Sequence, residues 1–91
     1  MAANEVIIQE RVFKALANRR RLTIVRHLKK RREASVGDIA EAIRLSFKAT
    51  SKHLGILVGA NILEREQRSL QMFYSIAADI PSSTRSIVSL L

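Results

Sequence analysis

The chain has 91 residues, with one proline, three glycines and no cysteine, and its 16 lysine and arginine residues against 8 acidic residues give a formal net charge of +8. This length predicts a single domain over residues 1–91, and the lack of cysteine excludes a disulfide framework, a thiolate zinc site and a cysteine nucleophile. The apolar runs are too short for a membrane-spanning helix, and the N-terminus lacks the basic start and apolar stretch of a signal peptide. We therefore expect a soluble cytoplasmic protein without a membrane partner.

The positive charge is concentrated in one segment. Between Arg11 and Arg32 the chain has ten basic residues and no acidic one. A field of a single sign attracts polyanions, so nucleic acid is the first candidate partner and an anionic membrane surface is the second. The alternative is a solvated surface that only keeps the protein in solution.

Asparagine residues predict where the first two helices begin. Asn4 is placed to cap a helix over residues 5–17, and Asn18 is placed to cap a second helix in which apolar residues recur at helical spacing. Residues 31–34 are interpreted as a connection. The chain therefore begins with two helices.

Two further helices joined by a short turn follow. Ser35 and Asp38 occupy the serine and acidic positions of a capping box, which predicts a short helix after Ser35. Ser46 is placed to cap a helix over residues 47–59. Two short helices so closely joined are typical of a helix-turn-helix. The residues expected to face the core are Val36, Ile39, Ala40 and Ile43 in the first helix and Thr50, Leu54, Leu57 and Val58 in the second.

A change of period then indicates β structure. Asn61 suits the left-handed conformation that ends a helix. After it, the pattern of residues has a period of two, so that successive side chains point to opposite faces as in a strand. Polar residues 67–69 predict the turn of a β-hairpin with a basic tip, and Pro81 suits the first turn of a final apolar helix. The predicted fold class is mostly α with a small β-hairpin, a winged helix-turn-helix in the order helix-helix-helix-helix-hairpin-helix.

The helix over residues 47–59 has the properties of a helix that enters the major groove of double-stranded DNA. Lys48 and Lys52 lie one turn apart with Ser51 between them, a combination that reaches base edges and phosphates. Two interpretations of Phe47 stay open, contact with a thymine methyl group or packing beneath the preceding helix, and we favour packing. The candidate DNA-binding residues are Ser46, Lys48, Ser51, Lys52 and His53 in the helix-turn-helix, and Arg65 and Arg68 in the hairpin.

Two groups of basic residues outside that helix have less specific interpretations. Arg65 and Arg68 suit the minor groove or its flanking phosphates, although both also fit an ordinary solvated hairpin. The remaining basic residues are expected to contact phosphates or to contribute only to the field. They are Arg19, Arg20, Arg21, Lys29 and Lys30.

The sequence contains no recognisable catalytic or metal-binding arrangement. There is no Ser-His-Asp pattern and no glycine-rich phosphate loop, so we predict that the protein is not an enzyme. His27 and His53 are far apart and have no cysteine or second histidine at helical spacing. We therefore predict no metal site, and the residues imply no cofactor.

Three ordered segments resemble the ArsR/SmtB family of winged-helix repressors. Residues 13–25 are similar to that family's first motif, an Ala-Leu followed by an Arg-Leu-x-Ile run, and residues 73–76 match its wing-closing strand. Residues 51–57, Ser-Lys-His-Leu-Gly-Ile-Leu, are similar to its recognition-helix motif Ser-x-His-Leu-x-x-Leu. The resemblance implies a homodimer that binds an imperfectly palindromic operator and represses transcription until an inducer releases it. It also places Lys48, Ser51, Lys52 and His53 in the DNA-contacting motif.

The resemblance further implies a dimer interface made by the terminal helices, about residues 5–17 and 81–91. Several apolar side chains fit this interface, because a monomer would cover them poorly. They are Val6, Ile7, Ile80, Ile87, Val88, Leu90 and Leu91.

The chain departs from the family at three points. Phe47 stands where many members have glutamine, and Asn61 replaces a usual glycine. Residues 35–44 have no cysteine, and residues 82–91 have no aspartate or histidine. The family's metal-sensing sites are therefore not carried over. The small-molecule effector stays unknown, since no residue pattern identifies one, and a pocket for it is expected between the two subunits, near the first and last helices.

Two alternatives to a sequence-specific, homodimeric repressor stay open. A winged helix also serves as a protein–protein interaction module, and a non-specific nucleic-acid-binding protein would use the same charge. The dependence of binding affinity on salt concentration distinguishes the first alternative. DNA binding weakens steeply as the salt concentration rises, whereas an apolar protein interface hardly responds. Sequence preference distinguishes the second.

Overall fold

Side-chain caps begin three of the five helices in the computed structural model, which describes residues 2–91. Asn18 Oδ1 accepts hydrogen bonds from the backbone N–H groups of Arg20 and Arg21, at 2.9 and 3.1 Å. Ser35 Oγ accepts from Asp38 N at 3.2 Å, and Ser46 Oγ accepts from Ala49 N at 3.1 Å. These three predicted caps are confirmed, but the capping box at Ser35 is only half formed, because within residues 2–91 the Asp38 carboxylate accepts no hydrogen bond from Ser35 N. The elements are α1 (Ala2–Leu16), α2 (Arg19–Arg31), β1 (Glu33–Ser35), α3 (Val36–Ile43), α4 (Phe47–Gly59), β2 (Leu63–Arg68), β3 (Gln71–Ile76) and α5 (Ser82–Ser89).

The predicted cap at Asn4 is wrong, because α1 already begins at Ala2 and includes Asn4. Alanine has the strongest helix propensity of all residues, so nothing in the local sequence stops the helix from starting three residues before the predicted start at residue 5.

The predicted fold class is confirmed, with one addition to the hairpin. The sheet has three antiparallel strands in the order β1-β3-β2 rather than two. β1 lies within the segment interpreted as a connection and the start of the next helix, and it pairs Ala34 with Tyr74, both of which are buried. This short strand covers the edge of β3 that a two-stranded hairpin would leave unpaired.

The turn of the hairpin is shorter than predicted. Pairing continues through Gln67 with Met72 and Arg68 with Gln71, so Ser69 and Leu70 alone form the turn. The prediction of a turn over residues 67–69 is therefore wrong at Gln67 and Arg68. We call the β2–β3 hairpin the wing.

The core lies where α2, α3 and α4 meet the start of the sheet. Ile24, Leu28, Ile39, Leu54 and Leu57 are fully buried there. The faces predicted for α3 and α4 are buried as expected, except that Val58 is only partly buried. Asn61 has φ 60°, so its predicted left-handed conformation is confirmed.

Helix α5 is the last element of the described chain; it packs against α1, and Lys29 of α2 binds its C-terminal end. Pro81 precedes its first residue, and Ile80 and Val88 are buried in the protein's own core. Lys29 Nζ donates to the carbonyl oxygens of Val88 and Ser89, at 3.1 and 3.2 Å. A lysine at the C-terminal carbonyls of a helix is favourable because of the helix dipole. No helix within residues 2–91 is long and apolar enough to cross a bilayer.

Candidate nucleic-acid interface

Helix α4 has one face toward the core and one toward solvent. Thr50 and Leu54 are fully buried, whereas Lys48 and Lys52 are exposed and Ser51 is half-buried between them. Because four residues make about one helical turn, the two ammonium groups lie on the same side. This face has the size and chemistry of a major-groove surface.

Gly55 continues this face toward the C-terminal end of α4. A methyl group added to its Cα would meet no atom within 4 Å. The glycine is therefore not required by the packing of the protein itself, and its effect is to keep the outer face of the helix flat.

Phe47 lies at the start of α4 and is 62% exposed. The favoured interpretation, packing beneath the preceding helix, is therefore wrong. Side chains on a helix tilt toward its N-terminus, so the ring of a residue at the first position projects past the end of the helix. The ring is available for contact with a partner.

Two arginines of α2 hold the helix-turn-helix together. Arg20 Nη1 donates to the carbonyl of Ile43 at 2.9 Å, at the end of α3. Arg21 donates to the carbonyl of Ala15 through Nε and contacts His53 Nδ1 through Nη1 at 3.1 Å. Both guanidinium groups, expected to contact phosphates or supply field, are thus engaged within the protein, although their charge remains beside α4.

His53 is neutral in this arrangement. An arginine can only donate, so Nδ1 accepts and the proton is on Nε2. Burial of the ring lowers the pKa of His53, and the charges of Arg21, Arg20 and Lys52 lower it further. The half-buried ring therefore offers one N–H donor rather than a positive charge.

The wing has an apolar tip instead of the predicted basic one. Leu70 is 96% exposed in the turn. Arg68 is directed along the sheet, where it binds both carboxylate oxygens of Glu33 and one of Glu66. Arg65 is exposed and takes part in none of the ion pairs formed within residues 2–91. The two arginines predicted together are thus in different environments.

No metal centre is formed among the side chains that the structure describes. Residues 2–91 contain no group of three histidine, aspartate or glutamate side chains placed to hold an ion. His27 lies on α2 and His53 on α4, and His27 Nε2 is buried without a hydrogen-bond partner in the described part of the chain.

A comparison with protein families decides the assignment of this winged helix. The model of the bacterial regulatory proteins of the arsR family matches residues 18–65, more than half of the chain. The chain belongs to the ArsR family. The matched segment runs from the cap of α2 into the first strand of the wing and contains all of the helix-turn-helix.

Relatives and solved structures agree with this membership. The ArsR-family chain is 34% identical over 67 residues to the arsenical resistance operon repressor of Bacillus subtilis (strain 168), covering 74% of this chain and 64% of that protein. It thus spans less than two thirds of that repressor's length.

Among solved structures, the chain resembles the homodimeric winged helix-turn-helix DNA-binding domain of a possible ArsR-family regulator from Mycobacterium bovis. The TM-score is 0.84 and the identity is 29%, and the match covers 98% of this chain and 79% of that one. For the transcriptional repressor PagR of Bacillus anthracis the TM-score is 0.80, with 26% identity and 97% coverage of both chains. These relatives are transcriptional regulators and not enzymes, as predicted for this ArsR-family chain.

Proposed function

We propose that this ArsR-family chain is a homodimeric repressor that binds double-stranded DNA sequence-specifically and lacks the family's metal-sensing site. The outward face of α4 carries the proposal, because it combines two exposed lysines and a short hydroxyl, and an exposed aromatic ring lies at the start of the same helix. Such a regulator acts in the cytoplasm, where bacterial DNA lies.

In the proposed complex, Lys48 and Lys52 contact guanine edges or phosphates, and Ser51 binds a base or phosphate. The exposed ring of Phe47 contacts a thymine methyl group, which glutamine at this position would contact differently. Ser46 and the first N–H groups of α4 bind a phosphate, since a helix N-terminus favours an anion.

The flanking contacts divide between α4 and the wing. His53 donates its Nε2–H to a phosphate oxygen without carrying a charge. Arg65 reaches the minor groove or the phosphates beside it. Arg68 can contact DNA only if it breaks its hydrogen bonds to Glu33 and Glu66. We therefore assign it a smaller contribution to DNA binding than Arg65.

The dimer in this proposal forms through α1 and the end of α5. Helix α1 displays Val6, Ile7 and Phe13 to solvent, and Leu90 is 83% exposed. Several large apolar side chains exposed on the same two elements indicate a surface that is covered by a partner. Ile80 and Val88, predicted for the interface, are only 5% exposed because they pack inside the chain. The homodimeric domain from Mycobacterium bovis supports two copies of this chain as partners.

Selection of binding sites from randomised duplex DNA at near-physiological salt tests the function. We expect a two-fold symmetric site whose half-sites are about one helical turn apart. Recovery of nothing above the random pool would refute sequence-specific binding and favour a non-specific or protein-binding role.

Two matched variants then test the role of α4. The double substitution Ser51→Ala and Lys52→Ala should reduce the preference for the selected site over random duplex by roughly tenfold or more. Lys30→Ala removes an exposed lysine of α2 and should weaken binding to both duplexes alike. Equal loss of preference in the two proteins would refute the assignment of base contacts to α4.

A further inference from the structure

A cavity of about 830 Å³ lies beside α5, and none of its lining residues belongs to α1 or α4. It is bounded by the end of α2, the edge formed by β1 and β3, and α5. Its floor is aliphatic, with Leu28 and Val88 buried and Ile76 half-buried. Its volume is in the range of pockets that bind small molecules.

The rim of this cavity is strongly basic. Four exposed cations surround the opening, Lys29, Arg31, Arg32 and Arg85. The rim also contains the acidic residue Glu33. Arg68 binds both of its carboxylate oxygens and offsets most of its negative charge, so the rim keeps a net positive charge. The positive rim favours an anion, and the aliphatic floor favours a hydrocarbon.

We propose that this cavity is a binding site for a small organic monocarboxylate with a hydrocarbon body. The carboxylate lies among the rim guanidinium groups, which bind such anions through paired N–H donors, and the hydrocarbon covers half-buried Ile76 and the small exposed part of Val88. The lining residues of the described chain include no aromatic ring on which a nucleobase would stack, which argues against a nucleotide.

The site stays accessible in the proposed dimer. At about 100° per residue, Ile87 lies about 200° and Leu90 about 140° around α5 from the cavity residue Arg85. The side of α5 that faces the cavity is therefore different from the side that carries half-buried Ile87 and exposed Leu90.

Lys29 connects this site to the proposed dimer interface and, through it, to DNA binding. Its ammonium group joins α2 to the C-terminal carbonyls of α5, at Val88 and Ser89. A carboxylate in the cavity competes for this ammonium, because an ionised acceptor forms a stronger hydrogen bond than a carbonyl. Release of the end of α5 from Lys29 alters a helix of the proposed dimer interface. A carboxylate bound in the cavity therefore weakens DNA binding by the dimer. This coupling rests on the proposed function, whereas the binding site does not.

Calorimetric titration of the full chain with octanoate tests the site. Acetate provides the charge without the hydrocarbon, and 1-octanol provides the hydrocarbon without the charge. We expect saturable binding of octanoate at least about tenfold tighter than that of either control. In NMR spectra recorded during the same titration, changes in backbone amide chemical shift should be confined to the end of α2, β3 and α5. Equal affinity of the three probes, or shifts confined to α1, would overturn the proposal.

A second test substitutes exposed residues of the rim, of which Arg85 also donates from Nη2 to the carbonyl of Ile80 at 3.2 Å. The double substitution Arg31→Gln and Arg85→Gln should reduce octanoate affinity by at least about tenfold. Arg26→Gln, an exposed arginine of α2 outside the cavity, should leave it unchanged. Equal affinities in the two variants would overturn the assignment of the rim.

The coupling is tested with the selected DNA site. Octanoate at saturation should weaken DNA binding at least about fivefold, and Lys29→Gln should abolish this effect while octanoate still binds. Octanoate binding with unchanged DNA affinity would overturn the coupling and leave the site intact. A chain that binds no DNA sequence would overturn the proposed function, and the calorimetry would still decide the site.

Discussion

Arg68 on the wing donates two hydrogen bonds to the carboxylate of Glu33 on β1, at 2.7 and 2.8 Å. The two strands are not neighbours, because β3 lies between them. The guanidinium group crosses the ring of Phe73, with Cζ 4.8 Å from the ring centroid, and it also contacts Glu66 at 2.9 Å. One side chain thus joins the three strands on one face of the sheet.

The different environments of the two wing arginines predict different effects on DNA binding. Arg65→Gln should weaken binding and reduce the slope of log affinity against log salt by about one. Arg68→Gln should change the slope much less, since its charge is already paired with Glu33 and Glu66. Binding titrations at several salt concentrations measure both slopes. A larger change for Arg68→Gln would show that Arg68 leaves its carboxylates to contact DNA.

The same ion pair predicts an acid-sensitive wing. Hydrogen bonds from Arg68, with smaller contributions from the charges of Arg68 and Arg32, hold the pKa of Glu33 below its ordinary value of 4.5. The pair therefore stabilises the folded state above pH 4.5, and this contribution is lost as the pH falls through the lower folded pKa. Carbon-13 NMR titration of the carboxylate should give that lower pKa, and Arg68→Gln should raise it. An unchanged pKa in the variant would contradict this cause.

His53 should titrate below the ordinary histidine pKa of 6.5, because burial and then the charges of Arg21, Arg20 and Lys52 lower its pKa. The neutral ring's contribution to stability is complete above the unfolded pKa and is lost as the pH falls through the lower folded pKa. NMR titration of the ring protons measures it. Arg21→Gln should raise the pKa, whereas Arg19→Gln, an exposed change on the same helix, should not. The same pKa in both variants would refute the role of Arg21.

Arg44 occupies a position suited to glycine at the end of α3. Its φ and ψ of 57° and 51° are left-handed, a conformation that costs a residue with a Cβ atom more than it costs glycine. Arg44→Gly should raise the free energy of unfolding by about 0.5–1 kcal/mol. Arg26→Gly, within α2, should lower it by about 1 kcal/mol. Urea unfolding measures both, and a loss of stability in Arg44→Gly would contradict the argument.

The exposed apolar face of α1 predicts the consequence of adding charge there. Ile7→Glu should shift the chain from dimer to monomer in sedimentation equilibrium, because a carboxylate would be buried without a partner. Leu70→Glu is the matched control, since Leu70 is equally apolar but lies at the wing tip. If both variants sediment like the parent chain, α1 is not the interface.

Local signals in the sequence were sufficient for most of the helix-turn-helix. Ser35 and Ser46 predicted the starts of α3 and α4, because a cap depends on a few neighbouring residues. The buried face of α3 followed from helical spacing. β1 could not be found in this way, since three residues are too few to show a period and its pairing with β3 depends on residues about forty positions later.

The sequence alone determined the winged helix-turn-helix, its positive field and the face of α4 toward solvent, since these depend on period, caps and charge. Only the tertiary structure decided the partners of individual side chains. In the folded chain Phe47 is exposed to solvent, Arg68 binds Glu33, and Lys29 donates hydrogen bonds to the end of α5. Contacts between residues 23 to 60 positions apart depend on how the elements pack, and the spacing of residues along the chain contains no signal for them.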